Sequence, residues 1–226
     1  MEITKENIES FFKQHTDPYL GTDLVSAGCV KSIEIEEGRK PRVNVEIVLG
    51  FYAKEHSKAI VKFYEDELKK AFGCKPKVKV ETKVVAHKVQ GQLRSLPNVK
   101  NIIAVASGKG GVGKSTTSVN LALSLAKEGA KVGVLDADIY GPSLPTMLGS
   151  KERPVSKDGK SMEPVMTQGL QTNSIGYLIA DADAAIWRAP MAVSALAQML
   201  KETNWKDLDY LIVDMPPGTG DIQLTL

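Results

Sequence analysis

Apolar residues alternate at Val43, Val45, Ile47 and Leu49, the period-two pattern of a strand with one buried face. The pattern around this strand predicts a small α+β unit over residues 1–85. Ile3 to Gln14 reads as a helix with Ile8, Phe11 and Phe12 inward, ending before Asp17-Pro18. Val25 to Glu36 contains a strand marked by Val30, Ile33 and Ile35, and Gly38-Arg39-Lys40-Pro41 turns it into the alternating strand. Ser57 to Phe72 carries apolar residues at helical spacing (Ile60, Val61, Tyr64, Leu68, Phe72), and Lys77 to Val85 alternates again as a third strand. Residues 86–99 are polar, lack a period and contain Pro97, so they read as a linker.

From residue 100 to 226 the pattern changes. Three short runs are apolar between their ends: Asn101 to Ala106, Lys131 to Asp136 and Asp209 to Asp214. Continuous runs suit strands of a parallel sheet buried on both faces. Ser115 to Lys127 reads as a helix with Val119, Leu121, Ala122, Leu125 and Ala126 inward. Pro190 to Thr203 reads as a second, with proline near its start. Gly141-Pro142 and Pro145 predict a loop, residues 150–164 a polar excursion or surface hairpin, and Leu170 to Tyr177 a further strand. The fold class expected is α/β, a mostly parallel sheet with flanking helices, preceded by a small α+β domain.

The chemistry concentrates between the first apolar run and its helix. Gly108, Lys109, Gly110, Gly111, Val112, Gly113, Lys114, Ser115 and Thr116 fit the pattern G-x-x-x-x-G-K-[ST]. Glycines let the backbone wrap a phosphate and turn its N–H groups inward, and the helix N-terminus adds partial positive charge. Lys114 is expected on the β- and γ-phosphates, and Ser115 on Mg²⁺. Asp214 ends an apolar strand, as a Mg²⁺-holding carboxylate does, although an aspartate there is also a common turn residue. Met215 to Asp221 follows as a rigid, glycine-bearing loop suited to sensing the γ-phosphate, or simply to joining strand and helix.

Asp136 and Asp138 close the second strand two residues apart. On an extended segment they share a face. Asp136 is then expected near Mg²⁺ and Asp138 on the attacking water, with N-cap or turn duty as the alternative. Lys109 sits at the far end of the loop from Lys114. Its expected use is to lay charge across phosphate oxygens, locally or in a partner subunit, as an arginine finger does, with a solvated surface lysine as the alternative.

Composition narrows the partners. The 226 residues are 42% hydrophobic and 25% charged, with net charge +2. Sixteen basic and fourteen acidic residues precede position 89, and thirteen of each follow. No surplus points to nucleic acid or a membrane surface. The N-terminus MEITKENIESFFKQ has no apolar signal core, and no run approaches membrane-spanning length. Cys29 and Cys74 stand far apart, which fits a reducing cytoplasm and two buried apolar thiols. His15, His56 and His87 show no metal-ligand spacing.

The GKGGVGKST loop, LDADIYGPSLPTMLG (135–149), Ile186-Trp187-Arg188 and DMPPGTGD (214–221) resemble the Mrp/ApbC family. These are iron–sulfur cluster carriers among the deviant Walker A, ParA/MinD-like ATPases. Asp17 to Val25 and the residues after them resemble, more loosely, the small N-terminal domain often fused to these carriers. The resemblance implies a homodimer with ATP between subunits, slow hydrolysis, and delivery of [4Fe–4S] clusters to apoproteins. The expected catalytic set remains Lys109, Lys114 and Asp138, with Ser115, Asp136 and Asp214 around Mg²⁺. The family's cluster ligands form a Cys-x-x-Cys pair well after the Walker B strand. No such pair occurs here, so the chain is expected to be the N-terminal part of a longer protein whose cluster ligands lie past Leu226. Two smaller departures are the absence of a cysteine in Gly50 to Lys54, and Ala189 where the family usually has glycine. The alternative reading is a positioning or partition ATPase of the MinD/ParA type. That reading asks for a C-terminal amphipathic helix or a basic patch.

Overall fold

The computed structural model describes residues 2–87, 96–178 and 189–218. The chain divides into two compact units, Met1–Val84 and Val85–Leu226.

The first unit opens with helix α1 (Lys5–Lys13), shorter at both ends than its apolar pattern. The Thr4 hydroxyl accepts the Asn7 N–H at 3.2 Å and fixes its start. Two-residue strands β1 (Thr16–Asp17) and β2 (Thr22–Asp23) pair antiparallel across the turn after Pro18. Strand β3 (Val30–Glu36), strand β4 (Arg42–Leu49), helix α2 (Lys54–Phe72) and strand β5 (Lys75–Thr82) complete the unit. The sheet order is β3-β4-β5, with β4 antiparallel to β3 and parallel to β5 across the α2 crossover. Helix α2 begins three residues before its expected start and ends at Gly73, whose φ of 66° is the left-handed cap that glycine adopts without strain. Val43, Val45, Ile47 and Leu49 are buried with Ile60, Tyr64, Leu68 and Phe72, as the two periodicities require. Cys29 and Cys74 are free and buried in this core, and burial pushes both thiols up.

The second unit is a mixed α/β layer structure. Its elements are β6 (Val99–Val105), α3 (Lys114–Glu128), β7 (Val132–Asp136), α4 (Leu144–Leu148), β8 (Val165–Thr167), β9 (Leu170–Ser174), a 3₁₀ turn (Ile175–Tyr177), α5 (Ala189–Glu202) and β10 (Leu208–Asp214). The order is β6-β10-β7-β9-β8, with the first four parallel and β8 antiparallel. Of the stretch expected as a linker, residues 88–95 lie outside the described residues, and Val99 already opens β6.

Four expectations change here. Strand β6 is not buried on both faces: it is an edge of this sheet, and Ile102 is 50% exposed. The loop expected around Pro145 contains α4, because proline is tolerated in a helix's first turn. Among the described residues, 150–164 forms no hairpin, only one bridge from Met162 to Thr203. The hairpin is β8–β9, turned at Gln168 and Gly169 with φ of 50° and 77°, the positive pair of a tight two-residue turn. Along α3 the fully buried residues are Ser118, Val119 and Ala122, while Leu121, Leu125 and Ala126 are half-buried.

One glycine in the sheet is set by close approach. A Cβ on Gly133 of β7 would lie 2.6 Å from Leu208 Cδ1, 3.1 Å from Leu211 Cδ1 and 3.2 Å from Trp205 Cζ3. Gly133→Ala is therefore expected to lower stability by about 1–3 kcal/mol through overpacking, read from the urea midpoint.

Candidate nucleotide site

The register of the parallel strands lines up their C-terminal ends. Val105 of β6 pairs with Asp214 of β10, Asp214 with Asp136 of β7, and Asp136 with Ser174 of β9. Three polar side chains thus stand in a row at the edge where open α/β sheets bind ligands. The glycine-rich loop rises from β6 beside them. Gly111 and Gly113 have φ of 75° and 88°, and Gly113 caps α3. A Cβ at Gly108, Gly110, Gly111 or Gly113 would meet nothing within 4 Å, so the loop borders open space.

Lys114 lies along this edge. Its ammonium donates to Asp214 Oδ1 at 2.7 Å and to Ser115 Oγ at 3.1 Å. The Lys114 and Asp214 side chains are 7% and 4% exposed. Ser118 Oγ, one helical turn beyond Lys114, lies 2.8 Å from Asp214 Oδ1 and 3.1 Å from the Lys114 carbonyl, so its one proton serves both acceptors. The segment after β10 is laced to the loop: Met215 N donates to Val105 O and Gly218 N to Ser107 O, both at 3.0 Å. Ser107 Oγ in turn donates to the Lys109 carbonyl at 3.0 Å, while Lys109 itself is exposed.

Asp136 is completely buried and engaged on both oxygens. Oδ1 accepts the Asp138 N–H at 3.1 Å. Oδ2 accepts from Ser143 N at 3.0 Å, Leu144 N at 3.1 Å and Ser174 Oγ at 3.0 Å. Desolvation pushes its carboxyl up to about 6; the Leu144, Asp138 and Ser174 donors oppose the rise, and the Asp214 charge adds to it. The premise of an extended Asp136-Ala137-Asp138 segment is corrected. Strand β7 ends at Asp136, and the chain turns there through the Asp136–Asp138 bond and an Ile139 N–H to the Ala137 carbonyl at 3.1 Å. Asp138 is half-buried, and its Oδ1 accepts the Gly141 N–H at 3.2 Å. Burial raises its carboxyl, the Lys114 charge pulls it down, and the Asp214 charge pushes it up. Asp138, Lys114 and Asp214 therefore share one field.

The structure thus gathers Lys114, Ser115, Asp136, Asp138 and Asp214, and leaves the Lys109 side chain at the surface. Ile186, Trp187 and Arg188, and Thr219 to Asp221, lie outside the described residues. Ser118 and Ser174 went unremarked in the sequence. Ser118 had left a signal, being the polar residue next to Val119 in the buried stripe of α3. Among the described residues, no three His, Cys, Asp or Glu side chains are grouped to hold a metal, and no helix is long and apolar enough to cross a membrane.

Residues 98–226 match the family described as ParA, NUBPL iron-transfer P-loop NTPase. The chain belongs to that family. Residues 5–82 match a second family, FeS_assembly_P, described as iron–sulfur cluster assembly protein. Relatives of this P-loop NTPase carry the name iron–sulfur cluster carrier protein, among them the following two. That of Haemophilus influenzae is 46% identical over 224 residues, 98% of this chain and 60% of the relative. That of Salmonella typhimurium is 74% identical over 129 residues, 57% of this chain and 35% of the relative. The chain spans less than two thirds of the length of either. A solved nucleotide-binding protein from Archaeoglobus fulgidus, in complex with ADP, is 41% identical with a TM-score of 0.47, covering 57% of this chain and 49% of that one.

Proposed function

We propose that the chain binds ATP with Mg²⁺ on its P-loop, hydrolyses it slowly as a homodimer, and in the whole protein drives delivery of [4Fe–4S] clusters to apoproteins in the cytoplasm. The observation that carries the nucleotide part is the Lys114 ammonium lodged between Asp214 and Ser115 at the head of an open glycine loop. The cluster part is supported by the family match and by the relatives named as carriers.

The residues fit the roles. Gly108 to Thr116 present backbone N–H groups to phosphate, and α3 adds its positive end. A hydroxyl and a carboxylate that already share one cation are hard oxygen donors of the kind Mg²⁺ takes. Ser115 and Asp214 would hold the ion, whose chemistry is to neutralise phosphate charge. Lys114 must then leave Asp214 for the phosphate oxygens. Asp136 is better placed to anchor than to ligate: it fixes the start of α4 and the turn bearing Asp138. Asp138, half-buried at the mouth of that turn, positions the attacking water. Because the segment after Asp214 is bonded to Val105 and Ser107, a shift of the loop on nucleotide binding is carried into that segment.

Lys109 has its backbone held and its side chain free to reach across a subunit boundary. Lys109→Ala in the full-length protein is expected to keep ATP affinity within about threefold and to lower turnover about tenfold or more. Hydrolysis at the wild-type rate would sink the role in trans. The carrier function itself is tested by reconstituting the full-length protein with iron and sulfide. An oxygen-sensitive cluster that passes to an apoprotein is expected; failure to bind or pass one refutes the proposal.

A further inference from the structure

A cavity of about 470 Å³ opens on the first unit, lined among others by His15, Asp17, His56, Ile60, Phe63 and Tyr64. That volume suits a side chain or small ligand. Asp17 is buried at this site. Its Oδ1 accepts the Tyr19 and Leu20 N–H groups at 2.9 and 3.1 Å, and its Oδ2 faces His56 Nε2 at 2.7 Å. His15 Nδ1 faces the Phe11 carbonyl at 3.0 Å.

These partners fix both tautomers. A carboxylate and a carbonyl only accept, so His56 carries its proton on Nε2 and His15 on Nδ1. In its neutral form each ring then keeps one lone pair, at His56 Nδ1 and His15 Nε2. The walls are aromatic: Phe63 meets His15 edge-on at 5.1 Å and Tyr64 at 5.1 Å, and the exposed Tyr19 ring lies 4.1 Å from His56. The cavity therefore combines acceptor nitrogens, a buried carboxylate and π faces. That combination is complementary to a flat cation rich in donors, which is a guanidinium rather than a compact ammonium. A second depression of about 310 Å³ shares Ala59 and Phe63 with it and runs on along α2 past Lys62, Asp66 and Glu67. A surface continuing along the helix suits an extended chain better than a compact metabolite.

We propose that this cavity captures an arginine side chain of a partner polypeptide, with Phe63 stacking on the guanidinium and His15 and His56 accepting from it. The site belongs to the first unit alone and stands or falls independently of the nucleotide reading.

The test uses the whole chain labelled with ¹⁵N-histidine. Long-range proton–nitrogen NMR is expected to find His56 protonated on Nε2 and His15 on Nδ1. Acetyl-Gly-Arg-Gly-amide is then expected to shift both rings with millimolar affinity, and the citrulline counterpart to bind about tenfold more weakly. Phe63→Ala, a change at an exposed position, is expected to weaken the arginine peptide by a similar factor. Protonation of His56 on Nδ1, equal binding of the arginine and citrulline peptides, or no shift at about 10 mM arginine peptide would each overturn the proposal.

Discussion

Lys114→Ala is expected to lower ATP affinity about a hundredfold or more, measured by calorimetric titration of the chain with Mg·ATP. Removing one partner of a desolvated charge contact costs about 2–5 kcal/mol, and 1.4 kcal/mol is tenfold. The structure adds a second consequence. Lys114 is paired with Asp214 at 2.7 Å with both side chains nearly inaccessible. Breaking a buried pair by deleting one member costs about 3–5 kcal/mol, because the survivor is left buried and unpaired. Lys114→Ala should therefore also lower the urea midpoint, and Lys114→Ala with Asp214→Asn should recover part of that loss. Asp214→Asn alone frees Lys114 from its competitor. It is expected to bind nucleotide without Mg²⁺ at least as tightly as the wild type, and to lose the gain that Mg²⁺ brings. Affinity of Lys114→Ala within threefold of the wild type would refute the role of Lys114.

The parts of this molecule that sequence made legible are those where one local rule decides. Alternation at Val43 to Leu49 gave β4, because one face of that strand is buried and the other only half-buried. The glycine loop gave its own site, since Gly111 and Gly113 adopt backbone angles that other residues resist. The illegible parts depend on distant partners. The strand expected over Leu170 to Tyr177 is met by β9, which ends at Ser174, but its burial is not legible: it is buried throughout yet polar (Gln171, Thr172, Asn173, Ser174), and no hydrophobic pattern marks it as core. Its bonds lie elsewhere in the chain: Gln171 exchanges two 2.8 Å bonds with the Lys206 backbone, and Asn173 donates to Thr203 Oγ1 at 2.7 Å. Gln168 turns the β8–β9 hairpin with positive φ, a place where glycine or asparagine would have announced itself. At the site, spacing brought Asp136 and Asp138 to notice but misjudged their geometry. Whether a strand continues past its last apolar residue depends on what its side chains bond to, here Ser143, Leu144 and Ser174.

Asp136 then offers the sharpest pH experiment. Its carboxyl moves from 3.8 to about 6 on folding, with burial as the leading cause. A raised carboxyl pKa favours the folded state while the group is protonated. The contribution is present in full below about pH 4 and is lost as pH rises through about 6. The change corresponds to about 3 kcal/mol, to order of magnitude. Asp136→Asn removes the titration. Its amide oxygen can still accept from Ser143, Leu144 and Ser174, and only the bond from Asp138 N–H is forfeited. Relative to this variant, the wild type is expected to lose about 3 kcal/mol between pH 4 and pH 7, read from urea midpoints of both proteins across that range. Titrating groups that do not face Asp136 are common to the two and cancel in the difference; Asp214, whose charge adds to the Asp136 shift, does not cancel. Parallel pH profiles would show that Asp136 stays charged in the fold with its four donors outweighing desolvation. Asp136→Ala is the contrasting case at neutral pH. It strips four donors of their acceptor, two of them at the start of α4, at about 1–3 kcal/mol for each one left buried and unpaired. The turn that carries Asp138 would lose its anchor, so ATP turnover is expected to fall together with stability in Asp136→Ala, while Asp136→Asn keeps more of both.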